Sequence, residues 1–487
     1  SDDRKTPQGT LEGTSFESEQ MAATLGAVVG TAGRFELRAE RFESTDVGVY
    51  TGSPNLIFNL PHWGRDRISL GFKGPWLGAQ ELSAKAYWQS IDKAFMNSIT
   101  FPVGPVNSMN ILNNFDSTTE IIGFDTFGQW LFSGMVLVAG VDARQEDAVG
   151  PSTRTTTMMT PGGEIPMGTT EYVPVDAEQT AAGAFGELTI PWSRGKLKLG
   201  LRYDWVETNN RAEGETREPG KLTDDALTGS VGLLYNIGDQ TKLVASLASG
   251  FRSPNLQERY YESPTHAGGG LTYGDPNLEA EESLQLEVGV RGNVGRCKYQ
   301  VTAFGSEIDN LISTVREPNP DIPGIFDYRY TNIADARITG FEGRLDTRWL
   351  RNLTSILSLT YTRGEDRQEG DPIYVPPLNV MASLRWDPPV ELPLWTQFDL
   401  RWMDDQDRVP YQYDRNGDRN HEAEAELISE SYLTVDLAVG FDLAMGEGLD
   451  TRFSIRGNNL FDKEYDEPFT SVPQAGRHVV ASVQLLF

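Results

Sequence analysis

Cysteine, histidine, positive charge and long apolar runs are what this 487-residue chain has least of. The single cysteine, Cys297, rules out an internal disulfide framework and reads as a small packing residue. Four histidines (His62, His266, His421 and His478) leave few candidates for imidazole chemistry. No uninterrupted apolar stretch reaches the length of a spanning helix, and mean hydropathy is −0.40, so a helical membrane protein is excluded. A membrane barrel is not, because its strands expose apolar residues on one side only and keep the average low. Forty-two Lys and Arg stand against 70 Asp and Glu, a net charge of −28, which is the wrong sign for a nucleic-acid partner. Such acidity suits a solvated surface, and it also suits long loops held to a negative surface by divalent cations. There is no Gly-x-Ser-x-Gly elbow, no phosphate loop and no His-Glu-x-x-His, so nothing marks an enzyme. The chain opens SDDRKTPQGT without a basic-then-apolar leader, as a mature, processed or truncated chain would.

What is present is alternation. At the C-terminus Val479, Ala481, Val483, Leu485 and Phe487 are apolar, interleaved with His478, Ser482 and Gln484. A period of two puts one set on each face of a strand, so one face can meet lipid and the other a wetter interior. The pattern recurs at Leu82–Trp88, Leu197–Trp205, Leu284–Val290 and Leu433–Phe441. Short turns, such as Pro191–Gly195, Asn236–Gln240, Gly292–Arg296 and Met445–Asp450, alternate with long polar stretches near 93–120, 145–175, 206–222, 252–282, 313–335, 363–374 and 404–429. Short turns on one rim and long loops on the other are the outer-membrane pattern, whereas loops that long are uncommon in a compact soluble domain. Trp205, Tyr235, Trp349, Tyr361, Trp386 and Trp402 fall near strand ends, where interfacial girdles belong. The expectation is an all-β fold, a transmembrane antiparallel β-barrel over residues 1–487 with about twenty strands. A barrel that wide has a lumen that side chains cannot fill, so it is an open channel or is plugged.

Three motifs carry a family resemblance. Asn458-Asn459-Leu460-Phe461-Asp462-Lys463-Glu464-Tyr465, followed by Pro473, Gly476-Arg477 and a terminal strand ending in Phe487, resembles the C-terminal signature of TonB-dependent outer-membrane receptors. Ser249-Gly250-Phe251-Arg252-Ser253-Pro254 with Asp275-Pro276-Asn277-Leu278-Glu279 and Glu281 resembles that family's paired FRAP and NPxL-x-PE motifs. Asn332 to Glu342 resembles its N-x-x-x-A-x-x-x-G-x-E strand entry. The resemblance implies a 22-stranded barrel in the bacterial outer membrane, surrounded by lipid and lipopolysaccharide. It further implies uptake of a scarce iron chelate, haem or cobalamin, driven by the TonB complex through an N-terminal plug. Residues 8–13 resemble an early barrel loop, so the plug and the first strands are expected to lie outside this chain. Energy coupling and full closure of the barrel are therefore open for the chain as given.

No cofactor is required on this reading; the iron chelate or haem is cargo. A ferric siderophore leads, with haem of the same family second and a plugless passive pore as runner-up. A soluble β-sandwich adhesin is disfavoured by the rim asymmetry and terminal phenylalanine. By residue type, Arg252, Arg259, Tyr260, Tyr261 and Tyr273 are the ligand candidates: Arg offers a bidentate fork and Tyr a stacking face. Haem receptors of the family carry a histidine between the two loop motifs, and His266, following Tyr261, is the corresponding iron-ligand candidate. Asp414, Asn416 and Asp418 space oxygen ligands around Gly417 as a calcium loop does, although no glutamate follows at the usual distance. Thr155–Met159 with Met167 offers sulfur to copper, a weaker reading than incidental loop methionines.

Overall fold

The computed structural model describes residues 3–486 except 32, 52, 54, 265–269, 320–325, 368–371, 390–392, 412–418, 420, 426, 445–449 and 471. His266, the Asp414–Asp418 cluster and Phe487 lie outside the described residues. Among those described there are 23 strands and two five-residue helices. Four strands are three-residue pieces, Arg4–Thr6, Gly9–Leu11, Glu262–Pro264 and Leu271–Tyr273, and the other nineteen build the wall. The wall strands are antiparallel to their chain neighbours, from Glu17–Val29 round to His478–Leu486, and curl into a closed barrel. At one of the long connections Thr241–Arg252 pairs with Glu281–Val294, and the segment between them is free to fold elsewhere. At the joint between the last wall strand and the first, every described residue of both strands is exposed.

Alternation becomes an inside and an outside. Leu199, Leu201 and Tyr203 on one strand, Leu227 and Val231 on the next, and Leu247 and Leu286 on the two that follow are all exposed on the outer face. In lipid this apolar exposure is what the strand needs. Tyr235 sits opposite Gly195 at the short-turn rim, and ten residues higher on the same strand Asp225 sits opposite Trp205. Ten residues of tilted strand rise roughly 25 Å, the height of the apolar band of an outer-membrane barrel. The expected aromatics thus mark its two edges, with Trp349, Tyr361 and Trp386 also exposed.

The inner face is polar and cross-linked. Arg202 donates to both carboxylate oxygens of Asp142 (2.8 and 3.1 Å) and of Asp204 (Nε at 2.9 and 2.8 Å), spanning three strands. Between those acids lies Gly183, where a Cβ would stand 2.1 Å from the Arg202 guanidinium, so the bridge requires glycine there.

Three expectations about loops change. Residues 93–120 and 145–175 are not loops but the upper halves of long hairpins, Glu81–Val103 with Asn107–Phe132 and Met135–Thr160 with Gly163–Trp192, and most of 313–335 belongs to the paired strands Cys297–Pro318 and Phe326–Leu350. The strand Gly163–Trp192 is 30 residues long, against the 9–11 or so that cross a membrane. The hairpins therefore stand well above the lipid on the long-loop side. Met158 and Met159, on one of them, alternate between its two faces, with Met158 opposite Met109.

Candidate functional site in the lumen

The described residues between Arg252 and Glu281 fold inward rather than out into solvent. Asn255 caps the helix Leu256–Tyr260, its side chain accepting from the Glu258 amide at 2.9 Å while the Glu258 carboxylate accepts from the Asn255 amide at 2.8 Å. The helix is a single turn, too short to be stable alone. It is held by packing Leu256 and Tyr260 on Ala148, Val175, Ala177 and Leu222 of the inner wall. Polar contacts complete the docking: Tyr260 Oη lies 2.7 Å from Thr208 Oγ1 and Ser263 Oγ 2.9 Å from Ser152 Oγ. Arg154 donates to the Gly270 carbonyl at 2.8 Å, and the Leu271 amide donates to Asp327 at 2.7 Å. Arg217, 4% exposed, donates to the carbonyls of Val173, Pro174 and Tyr260 and so ties the helix to the Gly163–Trp192 strand.

The ligand candidates chosen by type are brought together here, engaged with protein groups. Arg252 donates from Nε and Nη2 to Glu281, both at 2.6 Å, and from Nη1 to Glu258 at 3.0 and 2.8 Å. Arg259, 2% exposed, donates to both oxygens of Asp224 at 2.9 and 2.7 Å. Tyr260 is 2% exposed and Tyr261 6%. Tyr273 donates to Glu215 at 3.1 Å and has the Arg329 guanidinium 5.1 Å from its ring centre. Burial raises the Tyr261 phenol above its ordinary value, and burial followed by the Glu215 hydrogen bond does the same for Tyr273.

The family-like motifs are locks of the same kind. Asn459, at φ 46°, accepts from the Lys463 amide at 2.8 Å and donates to the carbonyls of Lys463 (2.8 Å) and Ala475 (3.2 Å), closing the turn before the last strand. Asn332 donates to the carbonyls of Glu279 and Asn310 at 3.1 and 2.7 Å, joining the inward segment to two neighbouring strands.

Across from the loop, the strands Leu56–Gly74 and Glu81–Val103 turn a different set toward the lumen. Trp63 sits opposite Lys93, Arg65 opposite Ile91 and Arg67 opposite Gln89, with Tyr87 and Phe95 on the same face. The Lys93 ammonium lies 5.9 Å from the Trp63 ring and 5.8 Å from that of Phe95, and Arg67 lies 5.0 Å from Tyr87. Phe95 stacks on Phe58 and Phe115, with centroids 5.8 and 4.1 Å apart. A cavity of about 450 Å³ opens there, lined by Lys93, Phe95, Phe115, Glu146, Leu256 and Tyr261, so the aromatic stack and the docked helix share one space. Residue type alone does not single out these side chains. Their signal was the period-two run Trp63, Arg65, Arg67, repeated as Tyr87 and Phe95 with Lys93 between.

A family model described as TonB dependent receptor-like, beta-barrel matches residues 13–460. Haem/hemopexin utilization protein C of Haemophilus influenzae is 24% identical over 335 residues, 64% of this chain and 44% of that protein. An iron-regulated outer membrane virulence protein of Vibrio cholerae is 24% identical over 265 residues, 52% of this chain and 38% of that protein. The chain thus spans less than half the length of these curated relatives. Among solved structures, the copper transporter OprC superposes with a TM-score of 0.79 at 18% identity, over 100% of this chain and 74% of that one. The FrpB iron transporter of Neisseria meningitidis does so at 0.70 and 16%, over 98% and 73%. At such identities these likenesses speak to the fold. With the family match running through nearly all of the wall, the chain belongs to the TonB-dependent receptor β-barrels of the outer membrane.

Proposed function

We propose that the whole protein takes up a scarce iron chelate across the outer membrane, a ferric siderophore ahead of haem. The observation that carries this reading is the segment between Arg252 and Glu281, docked on the inner wall beside a lumen lined with aromatic and basic side chains. A passive pore has no use for such a surface, whereas a receptor that must capture a dilute ligand does. Relatives named for haem utilization and iron transport support cargo of this class. Capture and release need no covalent step, so we assign no enzymatic activity. Energy would come from the TonB complex through a plug domain, which we place outside these 487 residues.

Haem is kept as a second reading because His266 lies between the two loop motifs in the sequence and one relative is named for haem utilization. The test is growth of an iron-starved deletion strain complemented with the full gene. Rescue by ferric siderophores but not by haem supports the first reading, and rescue by haem alone supports the second. Equal growth of complemented and empty-vector cells on every iron source would reject both.

A further inference from the structure

We propose that the helix Leu256–Tyr260 and the hairpin of Glu262–Pro264 with Leu271–Tyr273 form a fixed roof over one side of the barrel mouth, so that cargo enters beside it rather than through it. This rests on the uptake reading above and adds the route of entry. The two flanks of the hairpin are attached to different parts of the wall. On one flank Ser263 meets Ser152 of the strand Met135–Thr160, and Arg154 of that strand donates to the Gly270 carbonyl at 2.8 Å. On the other, Thr272 and Tyr273 pair in parallel with Tyr328 and Arg329 of Phe326–Leu350, and Asp327 accepts from the Leu271 amide. Six wall strands, from Gly163–Trp192 round to Cys297–Pro318, lie between these two attachments. The hairpin is therefore a crossbar, tied at both sides.

The space behind the crossbar is filled. The helix packs there on the inner wall, and Gly274 lies so close to it that a Cβ would stand 2.6 Å from the Arg259 carbonyl carbon. The connection 211–219 closes the remaining side: the Glu215 amide donates to Glu262 at 2.8 Å, and Thr216 Oγ1 donates to the Gly274 carbonyl at 3.3 Å. Beneath the helix is a cavity of about 720 Å³, lined by Arg202, Val206, Thr228, Gly250 and Asn255 on the roofed side and reaching Tyr87 on Glu81–Val103. Its approach is thus from beside the roof, along Glu81–Val103.

How the roof is held decides between a lid and a fixture. Segments that move in a working cycle are held by few buried contacts and open at low cost. Here Arg217, Arg259, Tyr260, Ser263 and Leu278 are each no more than 4% exposed. Lifting the helix would separate Arg259 from Asp224 on the wall and take the Tyr260 carbonyl from the Arg217 guanidinium. Lifting the hairpin would strand the hydroxyl of Ser152, itself 3% exposed, and break the pairing to Tyr328 and Arg329. Groups left unmatched in buried sites are costly, and the costs fall on both flanks, so neither flank is a free flap.

The test uses the full-length protein in cells, with Cys297→Ser as the parent. Single cysteines are placed under the roof (T228C) and beside it (Q89C), and both are offered a polymer-linked maleimide and a small methanethiosulfonate from outside. The bulky reagent should label Q89C about tenfold or more faster than T228C, whereas the small one should label both at rates within about threefold. R217M and L256A/Y260A loosen the roof from two sides, and each should raise bulky labelling of T228C about tenfold without changing Q89C. Folding of every variant is checked by heat-dependent gel mobility. Separately, S152C/S263C places a disulfide between hairpin and wall, and growth on ferric siderophores or haem should match the parent with the disulfide closed.

Equal bulky labelling of T228C and Q89C in the parent background would mean that nothing covers this side, and would overturn the roof. Growth that stops with the disulfide closed and returns on reduction would mean that the segment must lift, and would overturn its being fixed while leaving the uptake reading in place. If the parent grows on no iron source, the uptake reading fails, and the labelling rates still decide whether the roof exists.

Discussion

Arg259 shows how a residue that looks like a ligand contact can be an anchor. Its guanidinium is buried against Asp224, and removing one member of a buried pair strands the other. Arg259→Met should cost about 3–5 kcal/mol of local stability, read as protease cleavage in residues 253–278 of folded protein. Uncut protein would refute the anchoring role. Asn459→Ala should cost about 1–3 kcal/mol, because it loses a left-handed-tolerant residue and its side-chain hydrogen bonds, and should lower the temperature at which gel mobility shifts. Tyr261 gives a pH test. Its phenol is raised by burial, so its contribution to docking is complete below the ordinary tyrosine range and is lost as pH rises through the elevated value. Ultraviolet titration should show a group of late-ionising tyrosines that Tyr261→Phe reduces by one; a late phase of unchanged size would contradict this. Residue type alone picked out Arg252, Arg259, Tyr260, Tyr261 and Tyr273, which converge in one inward segment. It could not show that Glu258, Glu281, Asp224 and Glu215 would meet them, since those partners come from four places in the chain.

At the scale of strands, legibility followed the solvent. Where one face meets lipid, as at Leu199, Leu201 and Tyr203, the alternation of apolar and polar residues is strong and the strand is plain in the sequence. Above the membrane the hairpin Glu81–Val103 with Asn107–Phe132 meets water on its outer side. Asn110 there hydrogen-bonds Ser98 and Thr100 at 2.9 and 3.0 Å, and polar residues occupy positions where lower strands carry leucine. Backbone pairing continues while the hydrophobic signal fades, which is why those residues read as loop. The same division predicts opposite outcomes for one substitution. Leu286→Arg, on the outer face within the band, should cost about 2–4 kcal/mol of barrel stability. Val106→Arg, at the exposed hairpin tip, should change it by no more than about 0.5 kcal/mol. Denaturant unfolding in lipid vesicles compares the two, and equal costs would mean that the band is misplaced.

For the whole molecule, alternation, rim asymmetry and girdle aromatics together were enough to place a barrel of about twenty strands in the outer membrane, and nineteen form the wall among the described residues. The lumen was less legible, because its occupants come from distant parts of the chain. The inward segment follows residue 252, whereas the basic and aromatic strip lies between residues 56 and 103. Only the curl of the sheet brings them to one cavity. A surface so arranged makes sense if cargo is captured there and then released by work done from the inner membrane. The measurement that tests this most directly is accumulation of radioactive iron, offered as an aromatic ferric chelate, by cells producing the full-length protein, with and without collapse of the inner-membrane proton gradient. The account predicts accumulation that requires the protein and stops when the gradient is collapsed. Protein-dependent entry that continues unchanged without the gradient would contradict it, and would make the molecule a passive pore.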